Sequence, residues 1–155
     1  YKRQIATKPM PSAWKVGAVL GFEARVCPVV RLASGHGHHR KGAEVDAFEA
    51  RCWAVGPEVE VEREAVYRDW FRARVEAGGA ALEACELQGH RRLRVVRRTQ
   101  GEERKGCTLE RPEAWMKGTL VVRDGPAFSR LVSQGIGRHR AFGFGMLLLR
   151  RPGES

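Results

Sequence analysis

The segment 134–145 combines backbone freedom with positive charge. It holds four glycines, which can adopt positive φ and allow another backbone to approach closely. Basic or titratable side chains lie at its centre, and an apolar run follows it. A glycine-rich loop with exposed amide N–H groups beside arginine suits an anion such as a phosphate. The predicted contact residues are Gly135, Gly137, Arg138, His139 and Arg140.

Glycines at this spacing also occur in the dinucleotide-binding fingerprint, but that motif follows a strand and opens a helix. In this chain the order is reversed, because a helix-like segment precedes the loop and a strand-like segment follows it. A nucleotide cofactor is therefore not expected. The simplest structural interpretation is a helix-to-strand connection with Gly135 as the helix C-cap, which is compatible with anion contact.

A second basic segment, 90–98, is the most strongly charged part of the chain. Such a run can be a solvated strand edge that discourages aggregation. Edge protection seldom needs so many arginines, and the planar guanidinium fork matches a phosphate. Contact with RNA is therefore favoured here and in the polar turn that follows. The predicted residues are Arg91, Arg92, Arg94, Arg97, Arg98, Arg104 and Lys105.

Three histidines, His36, His38 and His39, lie in a third glycine-rich segment and suggest a zinc site. No carboxylate or thiol stands at ligand spacing, so no metal is predicted. We expect a solvated hairpin tip, in which Arg40 and Lys41 are candidate phosphate contacts.

Composition limits the partners. The chain has 155 residues, 43% of them hydrophobic, a formal net charge of +10 and a pI of about 10.2. Enough apolar side chains are present for a core, and the charge favours nucleic acid, although a basic protein without a polyanion ligand is the alternative. No apolar run approaches the roughly 18 residues of a membrane span. The widely spaced Cys27, Cys52, Cys85 and Cys107 indicate reduced thiols, a cytoplasmic protein and no zinc ribbon.

Hydrophobic patterning predicts the elements that position these segments. We expect strands over 18–26 and 48–55 and a helix over 60–77 that ends at Gly78 and Gly79. Residues 66, 70, 73 and 77 would form the helix's apolar stripe, and Tyr67 beside it would pack in the core. A two-stranded hairpin follows from 82 to 122, with its return strand clearest over 119–122. A short helix over 127–134 and a buried strand over 144–149 complete the chain.

The order from residue 14 is β, a hairpin insertion, α, β, β, α, β. This is the split βαβ pattern of an α+β, ferredoxin-like (RRM-like) domain with a glycine-rich loop before the last strand. The aromatic RNP motif of the RNA-recognition motif is missing, so phosphate and stem-loop binding is favoured over base stacking on the sheet.

Several of these segments carry a family resemblance. The loop reads Leu131-Val132-x-Gln134-Gly135-Ile136-Gly137-x-x-x-Ala141-Phe142-Gly143-x-Gly145-Met146-Leu147. Upstream stand Gly17-x-x-Leu20-x-Phe22-x-x-Arg25-x-x-Pro28 and Met116-Lys117-Gly118-Thr119-Leu120-x-Val122-x-Asp124. In this order the motifs resemble the CasE family, the CRISPR RNA-processing endoribonucleases of type I-E Cascade.

The resemblance implies two ferredoxin-like domains in tandem. Residues 1–13 would be a remnant or linker from the first, and 14–155 the C-terminal RNA-binding domain. Family members bind the CRISPR repeat stem-loop and cleave it without a metal, by attack of a ribose 2′-OH, and stay on the crRNA 3′ hairpin in Cascade. The family's catalytic histidine and tyrosine lie in the first domain, so no catalytic residue and no cofactor is assigned to this chain.

Three functions remain open from the sequence. The chain can be the RNA-clamping half of a crRNA endoribonuclease, or a non-catalytic RNA-binding assembly subunit. A protein–protein scaffold is the third and weakest alternative. RNA and other Cascade subunits are the expected partners of the first two.

Overall fold

The computed structural model describes residues 9–11, 13–98 and 106–152, without the side chains of Arg97, Arg98 and Cys107. The strands are β1 (Val19–Val26), β2 (Val29–Arg31), β3 (Glu44–Asp46), β4 (Ala80–Arg98), β5 (Gly106–Val122) and β6 (Leu147–Arg150). The helices are α1 (Ala47–Val55), α2 (Arg63–Ala77), α3 (Gly125–Gln134) and a 3-10 turn at Arg140–Phe142. Most of the expected remnant 1–13 lies outside the described residues, so that boundary stays a prediction.

The main sheet has four antiparallel strands in the order β4-β5-β1-β6. Helix α2 joins β1 to β4, and α3 joins β5 to β6. When the β2–β3 hairpin and α1 are set aside as an insertion, the order is βαββαβ. The predicted ferredoxin-like α+β class is therefore confirmed.

One face of the sheet is covered by the two long helices. Phe22, Ala24 and Val26 alternate along β1 and are buried on that face. The ring of Phe22 stacks on Phe71 of α2, with 5.3 Å between centroids. Phe128 of α3 is completely buried and meets Trp14 edge to face at 5.1 Å.

Helix α2 confirms the predicted helix but not its predicted stripe. Its buried residues are Tyr67, Trp70, Phe71 and Val75, whereas Ala73 and Ala77 are exposed. The stripe is rotated because the large side chains gain more from burial than the alanines do. Tyr67 packs in the core, as expected.

The predicted strand over 48–55 is wrong, because this segment is helix α1. Asp46 caps the helix, and its carboxylate accepts a hydrogen bond from the backbone N–H of Phe48 at 2.8 Å. An aspartate immediately before a helix satisfies an amide that would otherwise lack a partner. This local signal outweighs the β preference of Phe48, Trp53 and Val55.

The other differences concern element ends. β5 begins at Gly106, so the return strand starts well before its clearest part over 119–122, and β4 and β5 form a long two-stranded ribbon. Its pairs from Arg91↔Glu113 to Arg98↔Gly106 lie beyond Ala114, where the pairing of β5 with β1 stops. The last strand begins at Leu147 rather than at Phe144. Among the described residues, no helix has the length and apolar character that crossing a membrane requires.

Candidate nucleic-acid interface

The glycine-rich loop is pinned at both ends. Helix α3 ends at Gly135, whose φ is 79° and whose N–H donates to the carbonyl of Leu131 at 2.7 Å, so the predicted C-cap is confirmed. The N–H of Ile136 donates to the carbonyl of Gly145 at 2.8 Å, and the N–H of Gly145 donates to the carbonyl of Arg25 at 2.7 Å. Ile136 and Phe144 are buried. The residues between these anchors are therefore held out from the core in a defined shape.

The three central side chains of the loop have different roles. Arg138 forms an ion pair with Glu44, and His139 Nε2 lies 2.7 Å from Glu44 Oε2. The guanidinium of Arg140 turns back and donates to the carbonyls of Gly137 at 3.2 Å and Gln134 at 2.5 Å. His139 has φ 61°, the one positive φ of a non-glycine residue in the described part of the chain. Such a conformation costs about 1–2 kcal/mol.

Glu44 is the centre of a cluster that links three segments. Its carboxylate contacts His139 and Arg138 of the loop, Arg31 of β2 at 3.7 Å and Arg111 of β5 at 3.8 Å. Glu44, Arg31, Arg111, Arg138 and His139 are called the Glu44 cluster below. One carboxylate thus faces three guanidinium groups and an imidazole.

The Glu44 carboxylate is charged at neutral pH. Burial alone would raise its pKa, because water no longer solvates the charged form. The hydrogen bond to His139 and the charges of His139, Arg138 and Arg111 outweigh burial, and the pKa of Glu44 is lowered from its usual range.

The arginines of the ribbon do not share one surface. Arg91 pairs with the fully buried Glu113, which also binds Arg25, and its guanidinium lies 5.1 Å from the Trp115 ring centroid. Strand alternation directs Arg92 and Arg94 to the opposite side from Arg91. The partners there are Glu49 for Arg92 and Glu110, at 3.5 Å, for Arg94. The predicted sites Arg104 and Lys105, and the side chains of Arg97 and Arg98, lie outside the described residues.

One side of the ribbon borders a cleft whose lining residue Glu44 also contacts the glycine-rich loop. The cleft has a volume of about 150 Å³ and lies between the ribbon, the β2–β3 hairpin and α1. Glu44, Asp46, Glu49, Arg92 and Arg111 are among its lining residues. The structure therefore brings Arg92, Arg138 and His139 to one region and directs Arg91 elsewhere. Arg40 and Lys41 are exposed in the hairpin loop, as expected for its tip.

The histidine-rich hairpin packs on α1. The backbones of His36 and His39 exchange two hydrogen bonds of 2.9 Å, and the ring of His36 stacks on Trp53 at 4.4 Å. The ring of His39 lies 5.5 Å from Trp53. Within the described ranges, no group of three or more His, Cys, Asp or Glu residues is placed to hold a metal.

Sequence reasoning missed the acidic partners and two of the cations. Arg31, Glu44 and Arg111 were not singled out, and neither was the buried Glu113. One signal was available, since Arg31 and Glu44 flank the predicted hairpin tip and are paired across β2 and β3. The contact between Glu44 and His139 spans 95 residues, and no sequence periodicity predicts it.

Fold and site together define a basic ferredoxin-like domain with an insertion and a pinned glycine-rich loop beside an arginine-rich ribbon. A family model described as CRISPR associated protein matches residues 2–151. The chain belongs to this family. No curated protein sequence matches it closely enough to count as a relative.

Solved structures agree with this assignment and with the CasE resemblance. An RNA-bound CRISPR endoribonuclease Cse3, solved with a 19-nucleotide RNA, is 26% identical with a TM-score of 0.68, and the match covers 92% of this chain and 61% of that one. Cse3 of Thermus thermophilus, bound to an RNA representing a pre-cleavage complex, is 24% identical with a TM-score of 0.59, over 92% and 58% of the two chains. Cas6e of Escherichia coli K-12 is 20% identical with a TM-score of 0.53, over 95% and 67%. This chain thus spans about three fifths of the length of the Cse3 chains it matches.

Proposed function

We propose that the chain binds the CRISPR repeat stem-loop as the RNA-holding part of an endoribonuclease that processes precursor crRNA in the cytoplasm. The observation that carries the proposal is the 26% identical Cse3 structure bound to RNA, whose fold this chain shares over 92% of its length. The cations of the Glu44 cluster, with Arg92 at the same cleft, are a physical basis for holding phosphates.

The reaction implied by the resemblance needs no metal. A ribose 2′-OH loses its proton to a base and attacks the adjacent phosphorus, the P–O5′ bond breaks, and the 5′ oxygen takes up a proton. The products are a cyclic phosphate and a 5′-OH. We assign neither the base nor the acid to a residue of this chain, whose role is to fix the RNA in the geometry for in-line attack.

Assembly is the second part of the proposal. A CRISPR RNA-guided surveillance complex contains a chain of the same fold, 21% identical with a TM-score of 0.64. We expect this protein to remain on the 3′ hairpin of the crRNA and to contact other Cascade subunits.

A binding and cleavage assay with labelled repeat hairpin tests the proposal. We expect the chain to bind the hairpin more tightly than an unstructured RNA of equal length, because a folded duplex presents its phosphates at fixed spacing. In EDTA the RNA should stay intact. Absence of binding at low salt would overturn RNA binding and favour a protein scaffold, whereas cleavage would show that this chain contains a base.

The assembly alternative predicts the same binding without any cleavage. Adding the domain that carries the family's histidine and tyrosine separates the two functions. Restored cleavage identifies the chain as the clamp of an endoribonuclease, and intact RNA identifies it as a non-catalytic subunit.

A further inference from the structure

The Glu44 cluster has more positive than negative charge. Its three arginines are always charged, and Glu44 supplies the single negative charge, so the cluster keeps a surplus of two positive charges even with neutral His139. The other carboxylates of the cleft each face an arginine of their own: Asp46 faces Arg63, Glu49 faces Arg92 and Glu110 faces Arg94. The surplus of the Glu44 cluster is therefore available to a phosphodiester, which carries one negative charge.

The geometry of Glu44 resembles that of a bound phosphate. Oxygen Oε1 faces Arg31 and Arg138, and Oε2 faces Arg111 and His139. The two oxygens thus occupy the position that two non-bridging oxygens of an RNA phosphate would take among the same cations.

Two of these cations make only long contacts with the Glu44 carboxylate. Arg31 and Arg111 lie 3.7 and 3.8 Å from Glu44, farther than the 2.7–2.9 Å of a charge-assisted hydrogen bond. Arg111 Nε is also buried without a hydrogen-bond partner, although Arg111 lines the cleft. Buried donors are normally satisfied, so an acceptor that enters the cleft would complete this group.

Building on the proposed function, we propose that Glu44 is an internal competitor that occupies the binding place of one RNA backbone phosphate. RNA then binds by displacing the Glu44 carboxylate from Arg138 and His139. In the free protein Glu44 holds the loop in its binding shape and lowers the local positive potential. The affinity for RNA is therefore lower than it would be if the same cations had no carboxylate among them. An RNA that cannot place a phosphate at the cleft does not displace Glu44, and these cations do not add to its affinity.

The test compares repeat-hairpin affinity of the wild-type chain and Glu44→Gln. The amide keeps the size of the side chain but removes the competing charge, and one unit charge near 4 Å with the screening of bulk water corresponds to about a fivefold change. We expect Glu44→Gln to bind the hairpin about fivefold tighter, with a salt slope steeper by about 0.7–0.9. Glu86→Gln makes the same change of net charge at an exposed residue of β4 and should bind like wild type.

Equal or weaker binding by Glu44→Gln, with a wild-type melting curve, would overturn the proposal. An equal gain of affinity in Glu86→Gln would also overturn it, because the effect would then come from the change of net charge alone. If the wild-type chain binds no hairpin, both the proposed function and this inference fail. If it binds and Glu44→Gln is not tighter, only the inference fails.

A second measurement uses the wild-type chain and does not depend on the variant's folding. Saturating hairpin RNA should shift the imidazole NMR resonances of His139, because its contact with Glu44 at 2.7 Å is replaced by a phosphate. The indole resonances of Trp14, which packs on Phe128 of α3, serve as an internal reference. Unchanged His139 resonances in the complex would overturn the displacement.

Discussion

Individual carboxylates decide how much of the chain's positive charge is available. Arg91, Arg92, Arg94 and Arg138 each face an acidic side chain in the folded protein. The sequence singled out these arginines as candidate contacts but could not predict their acidic partners, because most of the partners are distant along the chain. The contact of Arg92 with Glu49, for example, spans 43 residues.

Asp46 is a buried carboxylate that contacts two helices. It accepts hydrogen bonds from Phe48 N–H at 2.8 Å, from the Tyr67 hydroxyl at 2.9 Å and from Arg63 at 3.1 Å. Burial, together with the negative charge of Asp46, raises the pKa of Tyr67, so the phenol stays protonated and donates. One side chain thus joins the cap of α1 to α2.

We expect Asp46→Ala to lower the free energy of unfolding by about 3–5 kcal/mol, because it leaves buried partners without their acceptor. Urea unfolding followed by circular dichroism measures the change. Asp69→Ala removes an exposed pair with Arg72 on α2 and should cost no more than about 1 kcal/mol. Equal losses in the two variants would contradict the role given to Asp46.

At the scale of elements, α1 is the segment whose secondary structure was predicted wrongly from the sequence. Phe48, Trp53 and Val55 are residue types that favour a strand, but the cap at Asp46 and the end at Gly56 define a helix. In contrast, β1, α2 and α3 were predicted well, because each has strong periodicity or clear end signals. The 3-10 turn at Arg140–Phe142 was not predictable, since its shape depends on contacts that pin the loop from outside.

The close approach of Gly145 to Ile136 in the glycine-rich loop can be tested by substitution. Gly145 has φ 85°, and a Cβ there would lie 2.4 Å from the carbonyl oxygen of Ile136. We expect Gly145→Ala to lower the free energy of unfolding by about 3 kcal/mol, from backbone strain and steric conflict together. Thermal or urea unfolding measures it.

Gly17→Ala is the matched control for this variant. Gly17 has φ 84° but no heavy atom within 4 Å of an added Cβ, so only backbone strain of about 1–2 kcal/mol is expected. A loss at Gly145 no greater than that at Gly17 would show that the loop can move away from Ile136.

For the whole molecule, the count of 28 lysines and arginines overstates the positive charge that is available to a polyanion, because acidic side chains face several of the arginines. The slope of log affinity against log salt concentration measures how many phosphates the protein neutralises. The sequence predicted Arg97 and Arg98 as contacts, and the strand β4 that carries their backbones ends at Arg98.

We expect Arg97→Ala combined with Arg98→Ala to weaken binding to the repeat hairpin and to flatten the salt slope by about 1.4–1.8, as for two lost phosphate contacts. Arg68→Ala combined with Arg72→Ala removes the same charge from α2, where the partners are Glu64 and Asp69. That control should change the slope far less. Fluorescence anisotropy over a series of salt concentrations decides between them, and an unchanged slope in the first variant would count against both residues.

The β4–β5 ribbon has eight pairs beyond the edge of the four-stranded sheet, from Arg91↔Glu113 to Arg98↔Gly106. At about 3.3 Å per residue this length corresponds to roughly 26 Å. Adding two residues to each strand near its tip would extend its reach by about 7 Å and leave every pair from Ala114 inward unchanged. The length of the ribbon can therefore change without any repacking of the core.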